Sequence, residues 1–443
     1  MPYGEYYSSV ETLPYGELEE MQWRLLRRTL REAYESPFYR RRWREAGISP
    51  DDVSGPEDFR RKVPFYTKDD VRRELQDGHI WGPMGDGGSA ELYSLTSGTT
   101  GVNTLLALNY GFLDEIVERL FMRQYWMAKL RPGMRAFQVL AGWHFLGIVT
   151  NMVFSRMGVK AVVPAGTSIH EHVGSYVDAL LDARPEYFVG MPWMIDAMIE
   201  EGERRGLDAR EIFSGVRYLH LAGEPLTPGT VDYIRDRTGV EDVFNAGGNS
   251  DGIWGSSDCE HHRGIHVWMD VNFLEVVDPK TGEPLDYGER GRWASTLLIP
   301  GGPLVVRYLG DDIVSVEKER CECGRTHYLV RIYDRVEDSF VKGGRYLTHY
   351  DASLVLESVC GHRLFTILEP EASGDRLTLL VARRGRPDPC EGSEGTIDEE
   401  FRRRLGIGAE VRWVDLRELP FSHRKLIRVY REGTGGGARW PTS

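Results

Sequence analysis

Leu92 to Tyr110 reads LYSLTSGTTGVNTLLALNY, a cluster of small hydroxyl and glycine residues between two apolar runs. Consecutive glycine, serine and threonine residues let backbone N–H groups and hydroxyls converge on an anion. The flanking runs read as strands, so the stretch is expected to form a hairpin-like loop. It is no Walker loop, because Gly98 and Gly101 stand too close and Val102 follows the second glycine. Two stretches, Gly85 to Ala90 and Gly433 to Ala438, fit the loose dinucleotide pattern G-x-G-x-x-A. Neither follows a strand and opens a helix, as pyrophosphate binding requires. A polar turn is the plain alternative for the opening stretch, and the rest of the chain has to decide.

Working outward, β-rich runs (AFQVLAGW, GVKAVVPA, YFVGMP, VRYLHLAGE, EDVFNAGG) alternate with helical ones (SYVDALLDA, MIDAMIEEGERRG, TPGTVDYIRDRTG). Such alternation predicts parallel sheets covered by helices. Residues 17 to 46 are expected to be helical, with leucines inward and the arginines between Arg24 and Arg44 outward. PEDFRRKVPFYTKDDVRRELQ adds two short helices broken at Pro64. After Gly264 strand-rich meanders take over, with turn signals at DPKTGEPLDYGERG and PGGPL. From about residue 337 a smaller α+β unit begins, its strands near FTILEP, RLTLLVAR and EVRWVDL. There is no internal repeat.

At 443 residues, two domains are the natural expectation, and 41% apolar residues with eleven tryptophans supply ample material for burial. A formal charge of −13 argues against a nucleic-acid partner. No apolar run reaches the length of a membrane span and the start lacks a signal-peptide pattern, so a cytoplasmic protein without membrane contact is expected. The five cysteines make no disulfide framework in a chain this long. Cys259, His266, Cys321 and Cys323 instead form a sulfur–nitrogen set of the kind tetrahedral Zn²⁺ prefers. His261, His262 and His327 are alternative nitrogen donors, and free thiols in a β-rich corner are the plainer reading.

Several further segments stand in order along the chain: LREAYESPFYRRRWREAGISPDDV, VPFYTKDDVRR, SLTSGTTG, LAGEPLTP, GNSD, DPKTGEPLDYGERG, VRYLGDD, CECGRTH, IYDRVEDSFVKGG and PFSHRKLIRV. This ordered set resembles the phenylacetate–CoA ligase family of adenylate-forming enzymes over nearly the whole chain. The resemblance implies an α/β fold. It would have a large N-terminal domain (residues 1–335) of helix-covered sheets with a β-barrel-like part, and a smaller mobile α+β C-terminal domain (336–443).

It also implies a two-step reaction, in which a carboxylate attacks the α-phosphate of ATP and a thiol then takes the acyl group from the adenylate. Thr96, Ser97, Gly98, Thr99, Thr100 and Gly101 would hold the phosphates. Gly223, Glu224 and Pro225 would lie along the adenine, beside Asn249 and Ser250. Asp251 would carry Mg²⁺, a hard ion suited to a carboxylate oxygen. Asp312 and Arg335 would hold the ribose, and Glu337 would be the hinge. Lys425 would reach the α-phosphate and act, with Thr100 and Asp251, in catalysis. Trp143, His144, Phe145, Trp193 and Gly247 would border the acyl pocket. Some relatives hold a structural zinc at positions matching the cysteines and histidine.

Three departures from the family pattern are visible. Val102 replaces a common lysine, GGNSD replaces an aromatic-led segment ending in glutamate, and KGGRYLTH (Lys342 to His349) replaces a loop linked to thioester formation. The expected protein is therefore an ATP- and Mg²⁺-dependent ligase for an aromatic or similar small acid, with CoA as acceptor and possible homodimerisation in keeping with the family. The rivals are a stand-alone ligase serving an amine or carrier protein, and a non-catalytic nucleotide-binding subunit.

Overall fold

The computed structural model describes residues 5–77, 90–95, 105–140, 145–163, 169–342, 345–361, 365–368, 375–383, 388, 390–415, 418–422, 425–426 and 428–430. Two compact units emerge. The first is built from Met1–Glu224, Ile234–Gly310 and Val314–Ile332, the second from Pro225–Tyr233, Asp311–Ile313 and Tyr333–Ser443.

The first unit opens with two helices rather than the one expected over 17–46. Tyr15–Glu35 ends at Ser36, whose ψ of 133° is extended. A residue before proline is pushed out of the helical region, and Pro37 then starts the helix Pro37–Glu45, where its missing N–H is harmless. Leu18, Leu26, Leu30 and Ala33 are buried while Arg24, Arg27 and Arg31 are exposed, so the amphipathic reading holds. Pro56–Lys62 and Lys68–Gln76 follow, separated around Pro64 as expected.

A six-stranded sheet runs in the order Lys160–Val162, Arg135–Gln138, Tyr187–Gly190, Tyr218–Leu221, Asp242–Asn249, Trp254–Ser257. All its pairings are parallel except the last. Tyr187–Gly190 is buried at every position, as befits a central parallel strand covered on both faces. Leu92–Leu95 and Leu105–Leu108 pair antiparallel with Leu95 opposite Leu105, the frame expected around the TSGTTG loop. That loop itself, residues 96–101, lies outside the described residues.

The second sheet has five strands, ordered Asn272–Val277, Gly291–Leu297, Tyr308–Glu317, Tyr328–Arg335, Ile265–Val267. Among the described residues it does not close into a barrel: Asn272–Val277 and Ile265–Val267 remain its edges, and closure would require them to pair. Its core encloses complete ion pairs. Arg307 donates to both oxygens of Glu275 (3.1 and 2.8 Å), and Arg123 to both of Asp270 (3.0 Å each).

The second unit carries a four-stranded sheet, Gly408–Val414, Arg376–Ala382, Phe365–Leu368, Val429–Tyr430. Helices His349–Cys360 and Glu394–Leu405 both end at glycines in the left-handed region, Gly361 (φ +64°) and Gly406 (φ +73°). Phe365, Ile367, Leu377, Leu379, Ile397 and Phe401 form its core. No described helix of the chain is long and apolar enough to cross a membrane.

Candidate active site and metal centre

Ligands of open α/β sheets bind beyond the carboxyl ends of the parallel strands. In the first unit Trp193, Gly223 and Asn249 stand at or just past the ends of three adjacent strands, Tyr187–Gly190, Tyr218–Leu221 and Asp242–Asn249. Ala222 donates its N–H to the Gly190 carbonyl (3.0 Å), tying the first two ends together. Gly223 adopts φ +87°, and a Cβ there would sit 3.5 Å from the Met191 side chain. The Trp193 indole N–H points at the Met191 sulfur (3.3 Å). Phe145 is buried against Phe121 (centroids 6.1 Å apart) and reads as a core ring. Trp143 and His144 lie outside the described residues.

The GGNSD segment is the end of a tight hairpin with Trp254–Ser257. Gly248 faces Gly255, and a Cβ on Gly248 would come within 2.3 Å of the Trp254 carbonyl oxygen. A Cβ on Gly247 would meet the Ile332 and Ile265 methyls at 2.6 and 2.7 Å. A side chain at 247 would therefore need those isoleucine methyls to move aside. In the turn, the Gly252 N–H donates to Asn249 Oδ1 (2.9 Å).

Asp251 projects from that turn with 13% of its side chain exposed, its Oδ2 lying 3.6 Å from Lys68 Nζ. Its other oxygen is buried and has no hydrogen-bond partner among the described residues. A buried acceptor left unpaired costs about 1–3 kcal/mol, so the geometry suits a carboxylate that takes a cation. Its setting also holds Tyr66, whose hydroxyl is pushed well above its usual range, chiefly by burial and in small part by the Asp251 charge.

The second unit holds Pro225, Asp312, Arg335, Glu337 and Lys425. Arg335 lies 3.7 Å from Asp312 and 3.2 Å from Glu337, so both acidic residues named from the sequence share one guanidinium. Pro225 begins a segment anchored by Glu357, which accepts from the Gly229 N–H (3.2 Å) and the Thr227 hydroxyl (2.5 Å). Lys425 sits in a small hairpin, opposite Ser422. Three residues on, Arg428 donates to buried Asp334 (2.8 Å). Asp338 is pushed up to about 7, by burial first and by the neighbouring Asp334 charge second. Lys68, Asp334 and Arg428 were not among the residues singled out from sequence. The only signals were their places inside VPFYTKDDVRR, IYDRVED and PFSHRKLIRV.

The four residues named for zinc are brought together and buried. Their ligand atoms lie within 4.8 Å of one another. Cys259 Sγ is 3.6 Å from Cys321 Sγ, and Cys323 Sγ is 3.5 Å from His266 Nε2. Zn–S bonds of about 2.3 Å and Zn–N bonds of about 2.0 Å in a tetrahedron set S···S at about 3.8 Å and S···N at about 3.5 Å. The separations fit that tetrahedron, and none of the three cysteines is in a disulfide. The histidine choice also resolves. His327 is committed on both nitrogens, to the Met269 N–H (3.0 Å) and the Val10 carbonyl (3.1 Å), and His262 to Asp258 (2.8 Å). His261 faces Glu322 (3.2 Å). The N-terminal segment straps this knuckle down. Tyr6 donates to the Cys323 carbonyl (2.9 Å), and buried Glu11 pairs with Arg325 (2.8 Å).

Comparison with known proteins fits this arrangement. Residues 86–305 match the family model described as AMP-binding enzyme. Over 97% of its length the chain is 32% identical to phenylacetate-coenzyme A ligase of Thermus thermophilus, covering 93% of that protein. The chain belongs to the phenylacetate–CoA ligase family of adenylate-forming enzymes. Its fold is shared with 2-hydroxyisobutyryl-CoA ligase in the postadenylation state (TM-score 0.85, 24% identity, 98% of this chain and 93% of that one). The same ligase in complex with 2-HIB-AMP and CoA, in the thioesterification state, matches with TM-score 0.70 at 25% identity, covering 97% of this chain and 93% of that one. The α/β architecture expected from the alternating pattern is thus that of the family.

Proposed function

We propose that this enzyme activates an aromatic or similarly small carboxylic acid with ATP, releasing pyrophosphate, and passes the acyl group from the adenylate to CoA. The carrying observation is the end-to-end likeness to a phenylacetate–CoA ligase, 97% of the chain at 32% identity. In the first step a carboxylate oxygen attacks the α-phosphorus and the α–β anhydride bond breaks, its electron pair leaving on pyrophosphate. No proton need move. The task left to the protein is to position the reactants and neutralise moving charge.

Mg²⁺ suits Asp251, whose unpartnered buried oxygen offers a hard ligand, and would supply charge neutralisation on the phosphates. Zn²⁺ suits Cys259, His266, Cys321 and Cys323. Four protein ligands leave no open position, so that role is structural. In this reading Thr96 to Gly101 hold the phosphates and Gly223, Glu224, Pro225, Asn249 and Ser250 border the adenine. Asp312 and Arg335 take the ribose, and Trp193 borders the acyl pocket. Residues 336–443 move about Glu337 and carry Lys425 to the α-phosphate for adenylation.

Carboxylate-dependent ATP–pyrophosphate exchange over a panel of aryl acids tests the reading. Exchange with at least one acid is expected, and Lys425→Ala should lower its kcat at least ~100-fold with little change in ATP KM. Absence of exchange with every acid, in a protein that binds ATP, would overturn it. The departure at KGGRYLTH favours a second acceptor class, an amine or carrier protein. Thioester formation on adding CoA to the same reaction decides against that alternative.

A further inference from the structure

The TSGTTG loop is followed by Val102, so the chain lacks a lysine at that place. Another lysine stands beside Asp251, the carboxylate read above as the Mg²⁺ ligand. Lys68 is the first residue of the helix Lys68–Gln76, and its ammonium is 3.6 Å from Asp251 Oδ2, with only 17% of its side chain exposed. That separation is an ion pair and exceeds hydrogen-bond length, while the second carboxylate oxygen has no partner among the described residues. The pair is thus loosely made on both sides.

The base of Lys68 is held firmly. The Tyr66 N–H donates to the Arg307 carbonyl (3.2 Å) and the Leu309 N–H to the Tyr66 carbonyl (2.9 Å), which stitches the preceding residues to the strand Tyr308–Glu317. Thr67 and Asp70 form a reciprocal cap around the start of the helix, and Asp70 is in turn gripped by Arg42 (3.1 Å). Arg42 also donates to the Phe65 carbonyl (2.8 Å). A fixed Cα leaves the four-carbon stem as the moving part, with three donors on a strongly hydrated charge.

We propose that Lys68 is a catalytic residue of adenylation. Paired with Asp251 in the free enzyme, its ammonium turns to the phosphate and carboxylate oxygens of the bound substrates. This rests on the ligase reading above. Once Asp251 is engaged by a divalent ion, the ammonium faces a like charge and loses its partner. The anions that arrive at that moment are the triphosphate and the acid, and an ammonium between them neutralises both reactants. Lys68 in this way supplies a cation that the glycine-rich loop does not carry.

The test uses the full-length protein and ATP binding by calorimetry in EDTA, alongside exchange kinetics. Lys68→Met keeps the stem and removes the charge. A lysine that merely neutralises Asp251 predicts that Lys68→Met/Asp251→Asn binds metal-free ATP as tightly as Asp251→Asn alone. A lysine that meets the phosphates predicts the double variant at least ~5-fold weaker than Asp251→Asn. It also predicts that Lys68→Met lowers exchange kcat at least ~30-fold and that Lys68→Arg recovers most of it. Equal ATP affinity of Asp251→Asn and the double variant overturns the proposal. Wild-type exchange run in parallel separates this from the ligase reading, which fails if the wild type itself exchanges with no acid.

Discussion

Arg307 is the side chain whose loss should be felt most widely in the first unit. Both it and Glu275 are buried, with side-chain exposures of 3% and 0%. The guanidinium donates to both Glu275 oxygens and to the Val63 carbonyl, and stacks over the Phe65 ring (3.9 Å). Arg307→Met would leave Glu275 charged and enclosed, a change worth about 3–5 kcal/mol. Arg60 Nε, 3.9 Å from Glu275, remains as partial compensation and puts the expected loss near the lower end of that range. The double variant Arg307→Met/Glu275→Leu removes both charges, and replacing a complete buried pair by apolar groups is often close to neutral. It should therefore recover at least about 2 kcal/mol of the single variant's loss. Equilibrium urea unfolding followed by tryptophan fluorescence reads the relevant core, since Trp43, Trp268 and Trp293 are fully buried in it. A single variant that loses less than about 1 kcal/mol, or a double variant less stable than Arg307→Met, would refute the reasoning.

Two further outcomes concern the metal centre and the second unit. Metal analysis of the purified protein should find about one zinc per chain, Cys323→Ser should lose it, and the midpoint of thermal unfolding should fall in step; a metal-free wild type of unchanged stability would count against the site. Asp338 has a folded pKa raised above the unfolded value, so its contribution to stability is present below about pH 4 and is lost as pH rises through about 7. Asp338→Asn should accordingly stabilise the second unit increasingly from about pH 5 to about pH 8, measured as the difference in Tm from wild type, and a difference independent of pH would contradict the burial argument.

Much of the fold was legible because its signals are local. Alternation of short β-rich runs with helical ones encoded the parallel sheet, and the apolar spacing of Leu26, Leu30 and Ala33 encoded the inner face of the first helix. The break at Pro37 is equally local, but the arginine–leucine rhythm continues across it and hides it. The open edges of the five-stranded sheet were not legible, since strand pairing between distant segments decides closure. Gly247 looked like a lost aromatic from its neighbours in sequence. The methyls that fill the space beside it belong to Ile265 and Ile332, on two other strands.

By itself the sequence determined the family and the order of its motifs, because these depend on residue types at short spacing. Only the tertiary structure decided which histidine joins the cysteines, by committing His327 and His262 to other partners. It alone also set Lys68 beside Asp251 and Arg428 against Asp334. The pairings of Lys68 with Asp251 and of Arg428 with Asp334 join segments far apart along the chain. Which charges end up within a few ångströms is settled by how sheets and helices pack, and no local pattern records it.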